Sequence, residues 1–363
     1  MVCLKNFSIS AKAVVIQNDF SELNKPDEEQ KTHKKKRFWL WVLIAVAALA
    51  GLVGVMFYKA GFTFSQMNVN IGGSVLPVLE DAPKVEKDED RINILMLGLR
   101  GPEDPNGGLL TDTMIVLSVK KTTGQVAMIS IPRDLYVKMP TVNGQNKAPA
   151  IKEKINFAYA LGEETKQGAG LAFSKAVVSN VTGLYIDHVA SVDFMAFKEV
   201  VDILGGVDVY LDKPFRETTQ FAKEILLELP EGKNHLDGDT ALYFVRSRYS
   251  TSDFDRAKRQ QQVLVAMKDK ALSAGILLNP VKDFELLSAM GKHVRTDMAM
   301  GDINNLLSLA GNFNSKNITH KVFDTTEEGL LYATTSDSGA YILLPVGDNF
   351  EKVRESCKNI FSN

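Results

Sequence analysis

The sequence predicts a mixed α/β domain, either α/β or an α-β-α sandwich around a mixed central sheet, preceded by one N-terminal transmembrane helix. Three observations lead there. A charge-free apolar segment runs from Phe38 to Tyr58. Short apolar runs bounded by glycine and charge recur from Ile92 onward, and stretches with apolar residues every three or four positions separate them.

The apolar segment reads FWLWVLIAVAALAGLVGVMFY. At about 1.5 Å rise per residue, a helix of this length covers the hydrocarbon core of roughly 30 Å. Trp39 and Trp41 sit at one end and Phe57 and Tyr58 at the other, as interfacial aromatics do. His33-Lys34-Lys35-Lys36-Arg37 precedes it and only Lys59 follows closely. The positive-inside rule therefore places residues 1–37, a polar and disordered tail, in the cytoplasm and the rest of the chain outside. A signal peptide would be shorter, nearer the N-terminus and followed by a small-residue cleavage site. Cys3 and Cys357 then lie on opposite sides of the membrane, and two cysteines exclude a disulfide framework or a Cys-rich zinc site. A net charge of −2 over 363 residues excludes a polycation, so anion binding must come from a local cluster.

Residues 59–90 carry Gly72-Gly73, Pro77 and Pro83 before a charged run, and read as an extracytoplasmic stalk. The folded domain is expected over 91–363. Ile92 to Leu97, Met114 to Val119 and Gln125 to Ile131 read as buried strands, the last two joined as a hairpin at Thr123-Gly124. Val207 to Leu211 alternates as a further strand. Helices are expected over Leu171–Val181, over Phe194–Leu204 with Ser191 or Asp193 as cap, over Asp239–Val245 as a short turn, and over Arg256–Ala274, Asp283–Gly291 and Asp302–Gly311.

The chemistry concentrates in RSRYSTSDFDRAKRQQQ, Arg246 to Gln262. It gathers Arg246, Arg248, Arg256 and Arg259 around Asp253 and Asp255, with Arg256 and Arg259 near the N-terminal, positive end of a helix. Guanidiniums offer bidentate donors that match phosphate oxygens. The bland reading is a solvated face of mutually offsetting ion pairs. Two smaller clusters accompany it. Ile131-Pro132-Arg133-Asp134 ends a strand, where ligands of α/β sheets bind, or else is an ordinary turn closed by an ion pair. Thr111-Asp112-Thr113 begins a strand; a carboxylate flanked by hydroxyls suits Mg²⁺, although Asp more often caps backbone. Lys154 and Asn156 open a helix and add donors. The five histidines have no metal-ligand spacing, and no Walker-type loop or G-x-S-x-G elbow is present.

Taken in order, NILMLG at 93–98, TDTMIVLSV at 111–119, VAMISIPRDLYV at 126–137, KINFAYALG at 154–162, the stretch at 185–209, LDGDTALYFVRSRY at 236–249 and SDFDRAKRQQ at 252–261 resemble the LytR-CpsA-Psr family. The resemblance is strongest over 91–274. It implies an α-β-α fold with a hydrophobic tunnel, walled partly by the apolar faces of the 171–182, 194–204 and 256–274 helices. The implied activity moves a glycopolymer from a polyprenyl-pyrophosphate carrier to a peptidoglycan sugar hydroxyl at the outer face of the membrane. Arg133, Arg246, Arg248, Arg256 and Arg259 would grip the pyrophosphate, Gln260 and Arg100 would assist, Asp112 would ligate Mg²⁺, and Asp255 or Asp134 would serve as base. The family usually has an Asp where Arg100 stands and Arg-Ser where Leu110-Thr111 stands, so one Mg²⁺ carboxylate is replaced; Glu103 or Asp104 would be its substitute, or Arg100 would neutralise phosphate directly. Two rival readings use the same pocket: a non-catalytic prenyl-phosphate-binding regulator of envelope synthesis, and a lipid pyrophosphate hydrolase. Nucleic acid is not expected as a partner of a cluster beyond the membrane.

Overall fold

The computed structural model describes residues 59, 61–71, 77–79, 82–101, 108–142, 151–218, 226–273, 280–310 and 318–362. All of them belong to one unit, Lys59–Asn363. Among them no helix is long and apolar enough to cross a membrane. The predicted tail 1–37, the predicted membrane helix 38–58, and Glu103 and Asp104 lie outside the described residues.

A mixed sheet of six strands organises the domain, in the spatial order Val294–Thr296, His188–Asp193, Arg91–Leu99, Thr111–Lys120, Val126–Ser130 and Ile318–Val322. The three predicted apolar runs are its centre, and the turn at Thr123-Gly124 makes the expected antiparallel hairpin. His188–Asp193 joins Arg91–Leu99 in parallel, and Ile318–Val322 joins Val126–Ser130 in parallel. Alternation sends successive side chains to opposite faces. Leu95, Leu97, Val116, Ala127 and Ile129 turn to the main core with Leu171, Val177 and Val181 of the Gly170–Thr182 helix. On the other face, Ser130 Oγ accepts a 2.8 Å hydrogen bond from Gln261 of the Asp253–Ser273 helix. Helices thus cover both faces.

Val207–Leu211 is a strand, as predicted, but it pairs with Gly232–Leu236 away from the central sheet. Those strands, Leu227–Leu229 and the helices Phe194–Ile203 and Gly238–Arg246 form a second core around Val209, Leu236, Phe244 and Val263. Of the two caps considered for Phe194–Ile203, Asp193 acts: its Oδ1 accepts from Ala196 N at 2.9 Å.

The expectation of a stalk over 59–90 needs correction for its described parts. Met67 is 2% exposed and packs with Ala196 and Val294. Asn68 bridges to Thr296, and Pro77–Val78 pairs with Thr141–Val142. The apolar residues Met67, Val69 and Ile71 between the polar ones draw this segment onto the domain, because burying them removes their surface from water.

Candidate active site

A cavity of about 470 Å³ opens where three chain segments meet. The first is the bulge in the opening hairpin. Its register slips between Gly98 and Leu99, so Thr113 faces Gly98, Thr111 faces Leu99, and Asp112 is the extra residue. A bulge re-aims one side chain, here a carboxylate, into the cavity. Gly98 is required there, since a Cβ would lie 2.9 Å from that of Thr113.

The second segment is the end of Val126–Ser130. Pro132 has no N–H and stops the ladder, and the chain turns through Arg133 and Asp134. Arg133 Nη1 meets Asp112 Oδ1 at 2.5 Å, and its Nε faces Asp134 and Asp253 at 3.5 and 3.6 Å. Lys154, the last residue of the Lys152–Lys154 strand, holds Asp134 from behind at 2.7 Å. Asn156 lies in a 3-10 turn ahead of the Ala158–Thr165 helix, and its backbone joins Arg133 and Thr111.

The third segment is the start of the Asp253–Ser273 helix. Ser252 caps it, accepting from Asp255 N at 3.1 Å while donating to Asp255 Oδ2 at 2.8 Å. These two hydrogen bonds explain why Asp255 belongs to the helix start and the neighbouring Lys258 rather than to the cavity wall. Asp253 lines the cavity instead. Arg256 sits one turn in, only 8% exposed, with Nη1 3.3 Å from Asp253 and Nη2 3.4 Å from the Asp112 carbonyl.

Three arginines, Arg133, Arg248 and Arg256, therefore line the cavity with three carboxylates, Asp112, Asp134 and Asp253. Arg100 Nε approaches Asp112 Oδ2 at 3.4 Å. Burial pushes the Asp112 carboxyl up, but Arg133, Arg256 and Arg100 together outweigh it and hold the group below the usual carboxylate range. Burial pulls Arg256 down, partly countered by Asp253. The Nε–H groups of Arg133 and Arg256 are enclosed and make no close hydrogen bond, although that of Arg133 faces the Asp134 and Asp253 carboxylates at 3.5 and 3.6 Å. Together with Arg248, these two guanidiniums give the cavity wall charged, bidentate donors of the kind that match an anion such as phosphate.

The remaining predicted residues divide. Gln260 lines the cavity and donates to Val245 O at 3.3 Å. Arg246 ends the Gly238–Arg246 helix with its guanidinium over the Phe194 ring, 4.5 Å from the centroid, and does not line the cavity. Arg259 turns inward. Its Nε, Nη1 and Nη2 donate to Phe244 O, Thr251 Oγ1 and Ser247 O, and its guanidinium packs against the edge-to-face pair of the Phe215 and Phe244 rings. Burial pulls it down to about 10, so it is a cation at neutral pH.

Sequence reasoning missed Glu217. It is fully buried, and its Oε2 accepts from both N and Oγ of Ser250. Arg259 and Glu217 together fix the loop that carries Arg248. Glu217→Ala is expected to cost about 1–3 kcal/mol in urea unfolding, because Ser250 loses its acceptor, whereas Glu217→Gln should cost much less. Equal stability of wild type and Glu217→Ala would contradict this clamp.

The inner wall is apolar: Met114, Ile131 and Leu343 belong to the main core. Of the helices expected to wall a tunnel, Asp253–Ser273 contributes to the cavity, while Gly170–Thr182 and Phe194–Ile203 contribute none of its lining.

Among the described residues no group of three His, Cys, Asp or Glu side chains is placed to hold a metal. Mg²⁺ does not require one, since it binds through one or two carboxylates, with waters and substrate phosphates completing its shell. Asp112 is ionised and 20% exposed; Arg133 takes its Oδ1, while Oδ2 has Arg100 only at 3.4 Å and is the oxygen that fits a hard cation arriving with phosphate.

The family profile LytR_cpsA_psr matches residues 64–359. The polyisoprenyl-teichoic acid–peptidoglycan teichoic acid transferase TagU of Oceanobacillus iheyensis is 31% identical over 322 residues, 85% of this chain and 93% of that protein. The like-named TagU of Enterococcus faecalis is 28% identical, over 71% of this chain and 80% of that protein. Among solved structures, B. subtilis TagV superposes with a TM-score of 0.57 at 27% identity, over 76% of this chain and 98% of TagV. TagT bound to LIIa-WTA has a TM-score of 0.57 at 21% identity, over 82% and 99% of the two chains, which speaks to the fold alone.

Proposed function

The chain belongs to the LytR-CpsA-Psr family, and from that premise we propose that it is a phosphotransferase moving a glycopolymer from a polyisoprenyl-pyrophosphate carrier to a peptidoglycan sugar hydroxyl. The observation that carries this is three guanidiniums, Arg133, Arg248 and Arg256, lining one cavity beside an apolar inner wall. A pyrophosphate on a greasy chain matches both parts. The relatives act, by their names, on teichoic acid, so a teichoic-acid-type polymer is the first donor to supply.

The acceptor oxygen attacks the phosphorus nearer the polymer. The new P–O bond joins polymer phosphate to the acceptor sugar, the bridging P–O bond breaks, and polyisoprenyl phosphate leaves. Negative charge grows on the bridging and non-bridging oxygens, where Arg133, Arg256 and Arg248 are fixed in advance and need no reorganisation. When the transition state is loose, a strong base matters little. Asp134 and Asp253, at the cavity wall, are the carboxylates placed to accept the hydroxyl proton. Asp112 would hold a Mg²⁺ ion, which would supply further charge neutralisation at the transferring phosphate. Asp112→Asn should raise the Mg²⁺ concentration for half-maximal transfer by about tenfold or more; an unchanged titration would remove Asp112 as ligand.

The positively flanked apolar segment 38–58 supports a single-pass anchor that presents the domain outside the cell, where carrier and peptidoglycan meet. Supplying lipid-linked polymer and purified cell wall to the full chain, and counting wall-linked polymer, tests the activity. Absence of any linked polymer from the active preparation would refute it.

A further inference from the structure

Three aromatic rings line the cavity: Phe254, which packs on the main core, and two tyrosines outside the charge cluster. Tyr249 follows Arg248 in the loop after the Gly238–Arg246 helix and is 60% exposed. Tyr341 opens the Tyr341–Pro345 strand of the C-terminal hairpin and is 51% exposed. Neither ring is core, and both leave much apolar surface in water beside a charged site. Neither is loosely held. Leu343, two positions from Tyr341 and on the same face of the strand, is buried in the main core, and its N–H donates to Asp134 O at 2.9 Å. Tyr341 is thereby fixed close to Asp134. Burial, then the Asp134 and Asp253 carboxylates, push its hydroxyl up, which fits a phenol tip within the field of the cluster. The Arg248 guanidinium lies over the Tyr249 ring, 5.2 Å from its centroid.

We propose that Tyr249 and Tyr341 form a sugar subsite, aromatic surfaces on which the pyranose next to the reacting phosphate packs its C–H face. The proposal rests on the phosphotransferase reading above. A pyranose has an apolar C–H face and a polar rim. A tyrosine ring gives broad, rigid contact area at low entropic cost. The carboxylates and guanidiniums beside the two rings meet the sugar's hydroxyls, while the phosphates meet the arginines of the cavity wall. The ring belongs either to the donor polymer or to the acceptor glycan, and the assay separates the two.

The test uses the full chain in detergent with Tyr341→Ala, Tyr249→Ala and Tyr341→Phe, and three probes: bare polyisoprenyl pyrophosphate, the same lipid bearing one sugar, and peptidoglycan glycan chains as acceptor. The alanine variants should bind the bare lipid as the wild type does. They should lose about tenfold in affinity for the sugar-bearing lipid if the donor ring packs there, or gain about tenfold in acceptor KM if the acceptor ring does, a change of about 1.4 kcal/mol. Tyr341→Phe should keep most of the wild-type affinity, since the ring makes the contact. Alanine variants that match the wild type with all three probes would overturn the subsite, as would an equal loss for bare and sugar-bearing lipid. A wild-type chain that binds neither lipid would instead refute the phosphotransferase reading, and the subsite with it.

Discussion

Arg256→Ala is expected to lower the rate of polymer transfer by about 10³ at saturating substrates while leaving a folded protein. Fixed arginines at phosphoryl transfer contribute on the order of 10³–10⁵ in rate, and Arg256 has the features of one. It is buried, its side chain lines the cavity, and it rides on the first turn of a capped helix whose positive end faces the cavity. Removing it relieves the desolvation that burial imposes and strips Asp253 of one of three cationic neighbours, Arg133 and Arg248 remaining. The two effects oppose each other, so the melting temperature should move little. Arg256→Lys should not rescue the rate, because an ammonium supplies neither the Nε–H nor the planar fork. Wild-type turnover in Arg256→Ala would strike this residue from the mechanism.

Arg133→Ala should damage stability as well as activity. One guanidinium serves Asp112, Asp134 and Asp253, and the side chains of all four are no more than 33% exposed. Removing one partner from a buried pair costs about 3–5 kcal/mol, because the other charge stays buried without its partner. Arg256 and Arg100 still face Asp112, which points to the lower end, about 3 kcal/mol. The pH dependence has a definite sign. Asp112 in the folded wild type titrates below its unfolded value of about 3.9, so its contribution is present above that pH and lost as pH falls through the lower folded value. The gap between wild type and Arg133→Ala should therefore stand at neutral pH and close below about pH 4. Arg133→Ala/Asp112→Ala should recover part of the stability and none of the activity. A parallel pair of stability curves down to pH 2 would contradict the pairing.

What the sequence made legible was local. Apolar runs named the three central strands, a Thr-Gly dipeptide named their hairpin, and Asp193 was one of two caps considered. The order of motifs was enough to bring Arg256 into one site with Asp112 and Arg133, from more than a hundred residues further along the chain. What stayed hidden depends on distant partners. Ile318–Val322 is too polar to look like a central-sheet strand, because it lies at the edge, and its partner Val126–Ser130 is far away in the chain. The distinction between Arg256 and Arg259 is finer than spacing can give. Residues three apart on a helix differ by about 60° around its axis, enough to turn one to the cavity and the other against the Phe215 and Phe244 rings. Glu217 and Tyr341 sit in short strands with no motif of their own, and only the folded loop and hairpin bring them to the site.

The most direct measurement supplies the full chain with a polyisoprenyl-pyrophosphate-linked glycopolymer, radiolabelled in the polymer, and with purified peptidoglycan. The account predicts label covalently joined to peptidoglycan, one polyisoprenyl phosphate released per polymer linked, and neither product from Arg133→Ala or Arg256→Ala. Release of free polymer phosphate with nothing joined to peptidoglycan would contradict it and make water the acceptor. Full linkage by both arginine variants would contradict the site itself.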